Sequence, residues 1–127
     1  MYVYFNPNPR NRTKSAGDCT IRAICKATGD DWEYTYLAVA FEGFRLGNVM
    51  DANEVWGSYL YNIGFRRHII PTDLPADYSV KDFCNDNPEG TYILSMSNHV
   101  VCVKDGNYYD VWDSGDENPL YYWKHEV

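Results

Sequence analysis

The spacing of apolar residues changes from helical to strand-like about half-way along this 127-residue chain. Before Gly64, apolar residues recur at intervals of three and four, as they do on one face of an α-helix. After it, short runs rich in β-branched and aromatic residues are separated by turn residues, as in a β-sheet. Because the helices precede the strands, the order predicts an α+β protein with segregated layers and argues against a parallel βαβ fold.

Three helices are predicted from this periodicity and from the residues that begin and end them. They cover about 19–28, 31–45 and 52–63, and a shorter helical turn is expected after Ser79. In the second helix, we expect Leu37, Ala38 and Phe41 to form the inner face. Residues 1–17 are predicted to be an irregular N-terminal segment, because most of it is rich in Asn, Pro, Arg, Ser and Gly.

Five strands are predicted in the second half of the chain. They cover about 65–70, 92–96, 99–104, 107–113 and 120–124. The pair that flanks Asp105-Gly106 is a strong hairpin signal. We therefore expect residues 1–127 to form a single domain, in which N-terminal helices pack on a C-terminal antiparallel β-sheet.

Composition limits the classes of partner. The net charge of −7 argues against binding to nucleic acid or to an anionic membrane surface. No stretch is apolar enough to span a bilayer, and the N-terminus lacks the apolar core of a signal peptide, so we expect a cytoplasmic protein. The four cysteines are then expected to be free thiols, and no metal site or cofactor is predicted.

The first residue that could carry chemistry is Cys19, which follows Gly17-Asp18 and begins the first predicted helix. A thiol is a good nucleophile only as the thiolate, and the amides at a helix N-terminus lower a thiol pKa. The same amides can stabilise an oxyanion that develops on a substrate carbonyl. Cys19 is therefore a candidate nucleophile, and its backbone amide is a candidate oxyanion donor.

A candidate base lies about eighty residues later. His99 precedes the apolar strand residues that begin at Val100, and histidine is the natural base for a thiol because its charge changes near neutral pH. The strand that returns from the hairpin brings carboxylates back toward His99. A carboxylate bonded to an imidazole fixes its tautomer and stabilises the imidazolium.

The register of the hairpin decides which carboxylate can bond the His99 imidazole. A two-residue Asp105-Gly106 loop places Asp110 on the face of His99, whereas a three-residue loop with a bulge places Asp113 there. Both registers are compatible with the sequence. We prefer Asp113, because it lies at the strand end nearest His99, and keep Asp110 as the alternative.

The order Cys, His, Asp, with the cysteine opening a helix, resembles the papain-like superfamily of cysteine peptidases. The segment 17–23 is similar to the nucleophile helix of small members, and 92–103 is similar to the histidine strand of bacteriocin-processing peptidases. Trp112-Asp113 also resembles transglutaminase-like proteins. The resemblance implies a papain-like fold, a Cys19–His99–Asp113 triad and a peptide or protein substrate. The family usually has an amide side chain a few residues before the cysteine, and Asn11 is the nearest here.

Three functions are compatible with the sequence. The first is a peptidase or another amide hydrolase that acts through a thioester, with deamidase and transglutaminase chemistry using the same groups. The second is a catalytically inactive papain-like module that binds a partner protein. The third is a structural or redox protein that uses the other cysteines.

Overall fold

We describe the chain from a computed structural model, which covers residues 1–12 and 16–126. Within these residues the prediction of a mixed α+β protein is confirmed, with four helices and six strands. In chain order they are β1 (Tyr2–Tyr4), α1 (Cys19–Thr28), α2 (Trp32–Leu46), α3 (Asn53–Asn62), β2 (Phe65–Ile69), α4 (Val80–Asp86), β3 (Thr91–Ser95), β4 (Val100–Lys104), β5 (Asn107–Asp110) and β6 (Tyr121–His125). None of these helices is long and apolar enough to cross a lipid bilayer.

The helices begin and end close to the positions that their capping residues predict. Gly29 ends α1 and Gly47 ends α2, each in the left-handed backbone conformation that glycine adopts without strain. The Asp31 side chain begins α2 by accepting a hydrogen bond from the Tyr34 amide. The predicted turn after Ser79 is a seven-residue helix, α4, which begins with a capping box.

The sheet is mixed rather than wholly antiparallel. Its strand order is β1-β5-β4-β3-β6-β2, and each neighbouring pair is antiparallel except β1 and β5, which are parallel. The expectation that 1–17 is irregular is therefore wrong at Tyr2–Tyr4. A three-residue strand is too short to show a period, and only its pairing with β5 defines it. Residues 13–15 lie outside the described residues.

The two faces of the sheet carry separate apolar clusters. Val100 and Cys102 of β4 pack with α1, α2 and α3 on one face, whereas Val101 and Val103 pack with α4 on the other. This alternation follows from the two-residue period of a strand. Helix α1 lies directly against β4, so the first residue of α1 is held over the end of the strand that follows His99.

The β4–β5 hairpin has the two-residue loop. Lys104 pairs with Asn107, and both Asp105 and Gly106 have positive φ angles, 51° and 78°. The preference for a three-residue bulged loop is therefore wrong. Asp105 is held in this conformation from outside the hairpin, because its amide and its carboxylate both bond the backbone of Gly90.

The inner face of α2 also differs from the expectation. Leu37 and Phe41 are 68% and 66% exposed. The buried side of the helix instead carries Val39, Glu42 and Gly43. The sequence pattern misled because a paired carboxylate and a glycine occupy inner positions that periodicity assigns to apolar side chains.

Glu42 is the polar connection between α2 and α3. Its carboxylate accepts hydrogen bonds from Arg45 on its own helix and from Ser58 and Asn62 on α3. The hydrogen bonds from Arg45 and Ser58 outweigh burial and lower the pKa of Glu42 to about 2. Because this pKa is depressed, the stabilisation is fully present above pH 4.5, the ordinary value, and is lost as the pH falls toward 2.

We therefore expect Glu42→Gln to lower the free energy of unfolding at neutral pH by roughly 2 kcal/mol, the usual worth of hydrogen bonds to a charged group. The difference from the wild type should shrink when urea unfolding is repeated at pH values near the pKa of Glu42. Glu89→Gln, at an exposed turn position, is the matched control and should change little at either pH. Equal stability of Glu42→Gln and wild type at neutral pH would contradict this assignment.

Candidate active site

Cys19 is the first residue of α1 and is partly exposed. The side chain of the N-cap residue, Asp18, makes no capping hydrogen bond to the helix. Its carboxylate instead accepts from Arg22, Trp32 and Asn8. The backbone amides of the first turn of α1 therefore receive no hydrogen bond from a capping side chain. The positive end of the helix dipole can then act on the thiol and on a carbonyl oxygen bound beside it.

The fold brings the predicted base to the predicted nucleophile. The His99 ring lies beside the Cys19 side chain, and both this ring and the Val100 backbone lower the pKa of the thiol. Helix α1 packs against β4, the strand that follows His99, and this packing brings the two residues together. Two residues that are eighty positions apart in the chain therefore form a single ionisable pair.

The third member of the site is Asp110, at the end of β5. Its Oδ2 lies 2.6 Å from Nε2 of His99, and it also accepts a 2.6 Å hydrogen bond from Ser114 Oγ. Its Oδ1 accepts from Arg22 at 2.9 Å and from the Val111 amide at 2.8 Å. The residue is fully buried, and although burial opposes ionisation, these partners hold the pKa of Asp110 below its ordinary value.

Asp113, the preferred third member, is elsewhere. Its carboxylate accepts from the Tyr108 hydroxyl and, at 3.0 Å, from the Gly115 amide. The two-residue loop is the physical reason, because in that register Asp110 shares the face of His99 and Asp113 does not. The structure therefore corrects the preference for Asp113 in favour of the alternative, Asp110.

Arg22 ties the nucleophile helix to the carboxylate of the site. Its guanidinium lies 2.7 Å from Asp18 Oδ1 and 2.9 Å from Asp110 Oδ1, and only 3% of the residue is exposed. One side chain thus joins the residue before Cys19 to the residue that orients His99. Such a buried bridge fixes the relative position of the two elements, because breaking it would leave a charge without a partner.

The charges of the pair follow from these contacts. Burial opposes ionisation of Cys19, but its bond to His99 and the charge of His99 outweigh it, so the pKa of Cys19 lies below its ordinary value. The Val100 amide and the Arg22 guanidinium lower this pKa further. Burial likewise opposes protonation of His99, but hydrogen bonds with Asp110 and Cys19 raise the pKa of His99 to about 9. These opposite shifts favour a thiolate beside an imidazolium.

The tautomer of His99 is fixed by the same geometry. Nε2 is hydrogen-bonded to Asp110, so Nδ1 is the ring nitrogen that is left to exchange a proton with Cys19. The indole of Trp112 lies 4.8 Å from the imidazole, between ring centroids. Only 10% of the His99 side chain is exposed, so the His99–Asp110 bond is screened from bulk water, which strengthens it.

The predicted oxyanion side chain, Asn11, does not contact the nucleophile through any hydrogen bond of the described residues. The backbone amide of Asn11 donates to Asn8 Oδ1 at 3.1 Å. Asn11 lines a cavity of about 340 Å³ beside the start of α1, to which Gly17 and Thr20 also belong. The Cys19 backbone amide remains an available donor at the first turn of α1.

Sequence reasoning missed three polar residues that the site depends on. Asn8, Arg22 and Ser114 are each 3% exposed or less, and each bonds Asp18 or Asp110. The four-residue spacing of Asp18 and Arg22 on one helix face was a usable signal. No local pattern pointed to Asn8 or Ser114, which act through partners distant in the chain or across a loop.

The other cysteines differ from Cys19 in burial and in the direction of their pKa shifts. All four cysteines are free, but Cys25, Cys84 and Cys102 are buried. Burial raises the pKa of each, to about 12 for Cys102. In residues 1–12 and 16–126, no group of three or more His, Cys, Asp or Glu side chains is placed to hold a metal ion.

Comparisons of the chain with protein-family models, with curated proteins and with solved structures found no match.

Proposed function

We propose that this protein is a cysteine hydrolase of papain-like type, which cleaves peptide or other amide bonds through a thioester on Cys19. The observation that carries the proposal is the chain of contacts from the Cys19 sulfur through His99 to buried Asp110. A nucleophile, a base and a group that orients the base are the parts that such catalysis needs.

Each step of the reaction has a residue to perform it. The Cys19 thiolate attacks the carbonyl carbon, and the carbonyl π electrons move to oxygen as an oxyanion. The Cys19 amide at the N-terminus of α1 is the donor that we assign to this oxyanion. As the tetrahedral intermediate collapses, His99 gives the Nδ1 proton to the leaving amine, and the thioester remains on the sulfur.

The second half of the reaction reverses the roles of His99. Neutral His99 removes a proton from water, which attacks the thioester carbonyl and forms a second oxyanion. Collapse of that intermediate releases the carboxylic acid and restores the thiolate beside the imidazolium. Asp110 stays ionised throughout and stabilises the imidazolium whenever it forms. An amine that replaces water in this step would give acyl transfer from the same site.

The cavity of about 340 Å³ beside α1 is where we place the substrate side chain next to the scissile bond. It begins at Gly17 and Asp18, directly before the nucleophile, and Ile21, Trp32 and Met50 supply apolar walls. A Cβ added at Gly17 would meet no atom of the described residues within 4 Å. A substrate with an aliphatic or aromatic side chain at this position fits such a lining.

The proposal is tested by incubating the protein with a peptide library and reading the products by mass spectrometry. New peptide termini indicate a peptidase, conversion of Gln or Asn to an acid indicates a deamidase, and amine adducts indicate acyl transfer. We expect one of these products with the wild type and none with Cys19→Ala. Cys84→Ala, which removes a buried thiol on α4, should retain the activity. Equal products from wild type and Cys19→Ala, or none from folded wild type, would reject the proposal.

A further inference from the structure

An apolar stripe runs along the side of α2 that faces away from the molecule. It consists of Tyr34, Leu37, Phe41 and Phe44, which we call the outer stripe. Their exposed fractions are 59%, 68%, 66% and 84%. A helix of a globular protein normally turns such residues toward the core, and here the inner side is already occupied by Val39 and its neighbours.

The spacing of the outer stripe is that of a helix–helix seam. Its members are three, four and three residues apart, which is the alternation that keeps apolar side chains on one line facing a second helix. Small residues, Ala38 and Ala40, flank the stripe and allow close approach of another backbone. The nearest charges lie at its ends, where Glu33 pairs with Arg10 and Arg45 pairs with Glu42. The seam itself therefore carries no charge.

The area of the stripe reaches what a specific dimer needs. Aromatic side chains bury about 150–250 Å² each, so the outer stripe presents roughly 500 Å² of largely apolar surface. An apolar patch of this size is at the upper end of what monomers expose. Two copies in contact would bury roughly 1,000 Å², which is the lower bound for a specific interface.

We propose that the outer stripe binds a second copy of this chain, with the two α2 helices antiparallel about a two-fold axis. The stripe is self-complementary in that arrangement, because its residues form two pairs that are centred on position 39 of the sequence. Tyr34 and Phe44 form one pair, and Leu37 and Phe41 form the other. Leu37 would contact Phe41 of the partner subunit, and Tyr34 would contact Phe44 of the partner subunit. A two-fold dimer needs one patch that matches itself, and this patch does so without placing like charges in contact.

Sedimentation equilibrium of the purified full chain, from micromolar to near-millimolar concentration, tests the inference. We expect the wild type to be a dimer and Phe41→Arg to be a monomer, with dimerisation weakened roughly a hundredfold or more by a charge at the centre of the seam. Ile69→Arg is the matched control, because Ile69 is 60% exposed on β2 and should leave the dimer intact. Phe44→Glu, at the most exposed stripe position, gives a second variant that should fold normally.

Circular dichroism and urea unfolding show whether each variant is folded, so loss of the dimer is not mistaken for loss of the fold. A wild type that stays monomeric over the whole range would overturn the inference, including the case in which it binds a different protein through α2. A dimer that survives both Phe41→Arg and Phe44→Glu would overturn it as well. Because the inference does not depend on Cys19 chemistry, an inactive dimer would reject only the proposed function.

Discussion

Replacing Asp110 by Asn is expected to lower both the stability of the protein and the reactivity of Cys19. Asp110 is fully buried and bonds His99 and Arg22, so its charge is the counterion for two cations. Removing one member of a buried ion pair costs about 3–5 kcal/mol, and urea unfolding should show a loss of this order. The pKa of His99 should fall from about 9, and the pKa of Cys19 should rise in response.

Asp113→Asn is the matched control, because both changes remove one carboxylate charge from adjacent parts of the chain. Asp113 is bonded to Tyr108 and Gly115 rather than to His99. We expect Asp113→Asn to leave the alkylation rate of Cys19 close to that of the wild type. If Asp113→Asn slowed alkylation as much as Asp110→Asn, the assignment of Asp110 as the orienting residue would be wrong.

Iodoacetamide is expected to modify Cys19 and no other cysteine of the native protein at mildly acidic pH. Only the thiolate reacts, and the pKa of Cys19 is lowered by His99. His99→Gln removes the cation and should reduce the rate at pH 6 at least tenfold, since each unit of pKa rise removes about nine-tenths of the thiolate. Peptide mapping by mass spectrometry at timed intervals gives the rate for each cysteine.

The remaining three cysteines are internal controls in the same sample. Cys25, Cys84 and Cys102 are buried and have raised pKa values, so they should react only after unfolding in urea. His68→Gln is a control for the loss of any histidine, because His68 lies on β2 beside Glu126 and away from the site. Uniform labelling of all four cysteines, or an unchanged rate in His99→Gln, would contradict the account.

The positions of Cys19 and His99 could be predicted because each has a local signal. Cys19 begins a helix that ends at Gly29, and His99 precedes a run of strand residues. Helix and strand starts are readable from periodicity and capping. Cys19 and His99 come close together because α1 packs on β4.

The carboxylate could not be chosen in the same way, because a one-residue change in register reverses the face of every residue on a strand. The loop at Asp105-Gly106 allows either register. The structure has the two-residue loop, and Asp105 forms hydrogen bonds with Gly90, fifteen positions earlier in the chain. The sequence of the hairpin itself does not reveal this contact. Asp110 rather than Asp113 follows from the two-residue register, in which Asp110 shares the face of His99.

The face of α2 was mispredicted for a related reason. Burial of Glu42 is tolerated only because Arg45, Ser58 and Asn62 satisfy its oxygens, and two of these lie on another helix. At Gly43, an added Cβ would lie 2.8 Å from the Asn48 carbonyl oxygen, so a close backbone approach occupies this side of the helix. Neither feature is visible in a pattern of apolar residues, and their effect is to leave Leu37 and Phe41 outside.

An NMR titration of the His99 ring measures whether His99 is held as an imidazolium between Cys19 and Asp110. Ring carbon and nitrogen shifts of isotope-labelled protein report the protonation state across the pH range. We expect a midpoint near pH 9, well above the ordinary 6.5. A His99 ring that titrates at or below 6.5 in the folded protein would show that His99 is not held as an imidazolium at neutral pH, and would contradict this assignment of charges.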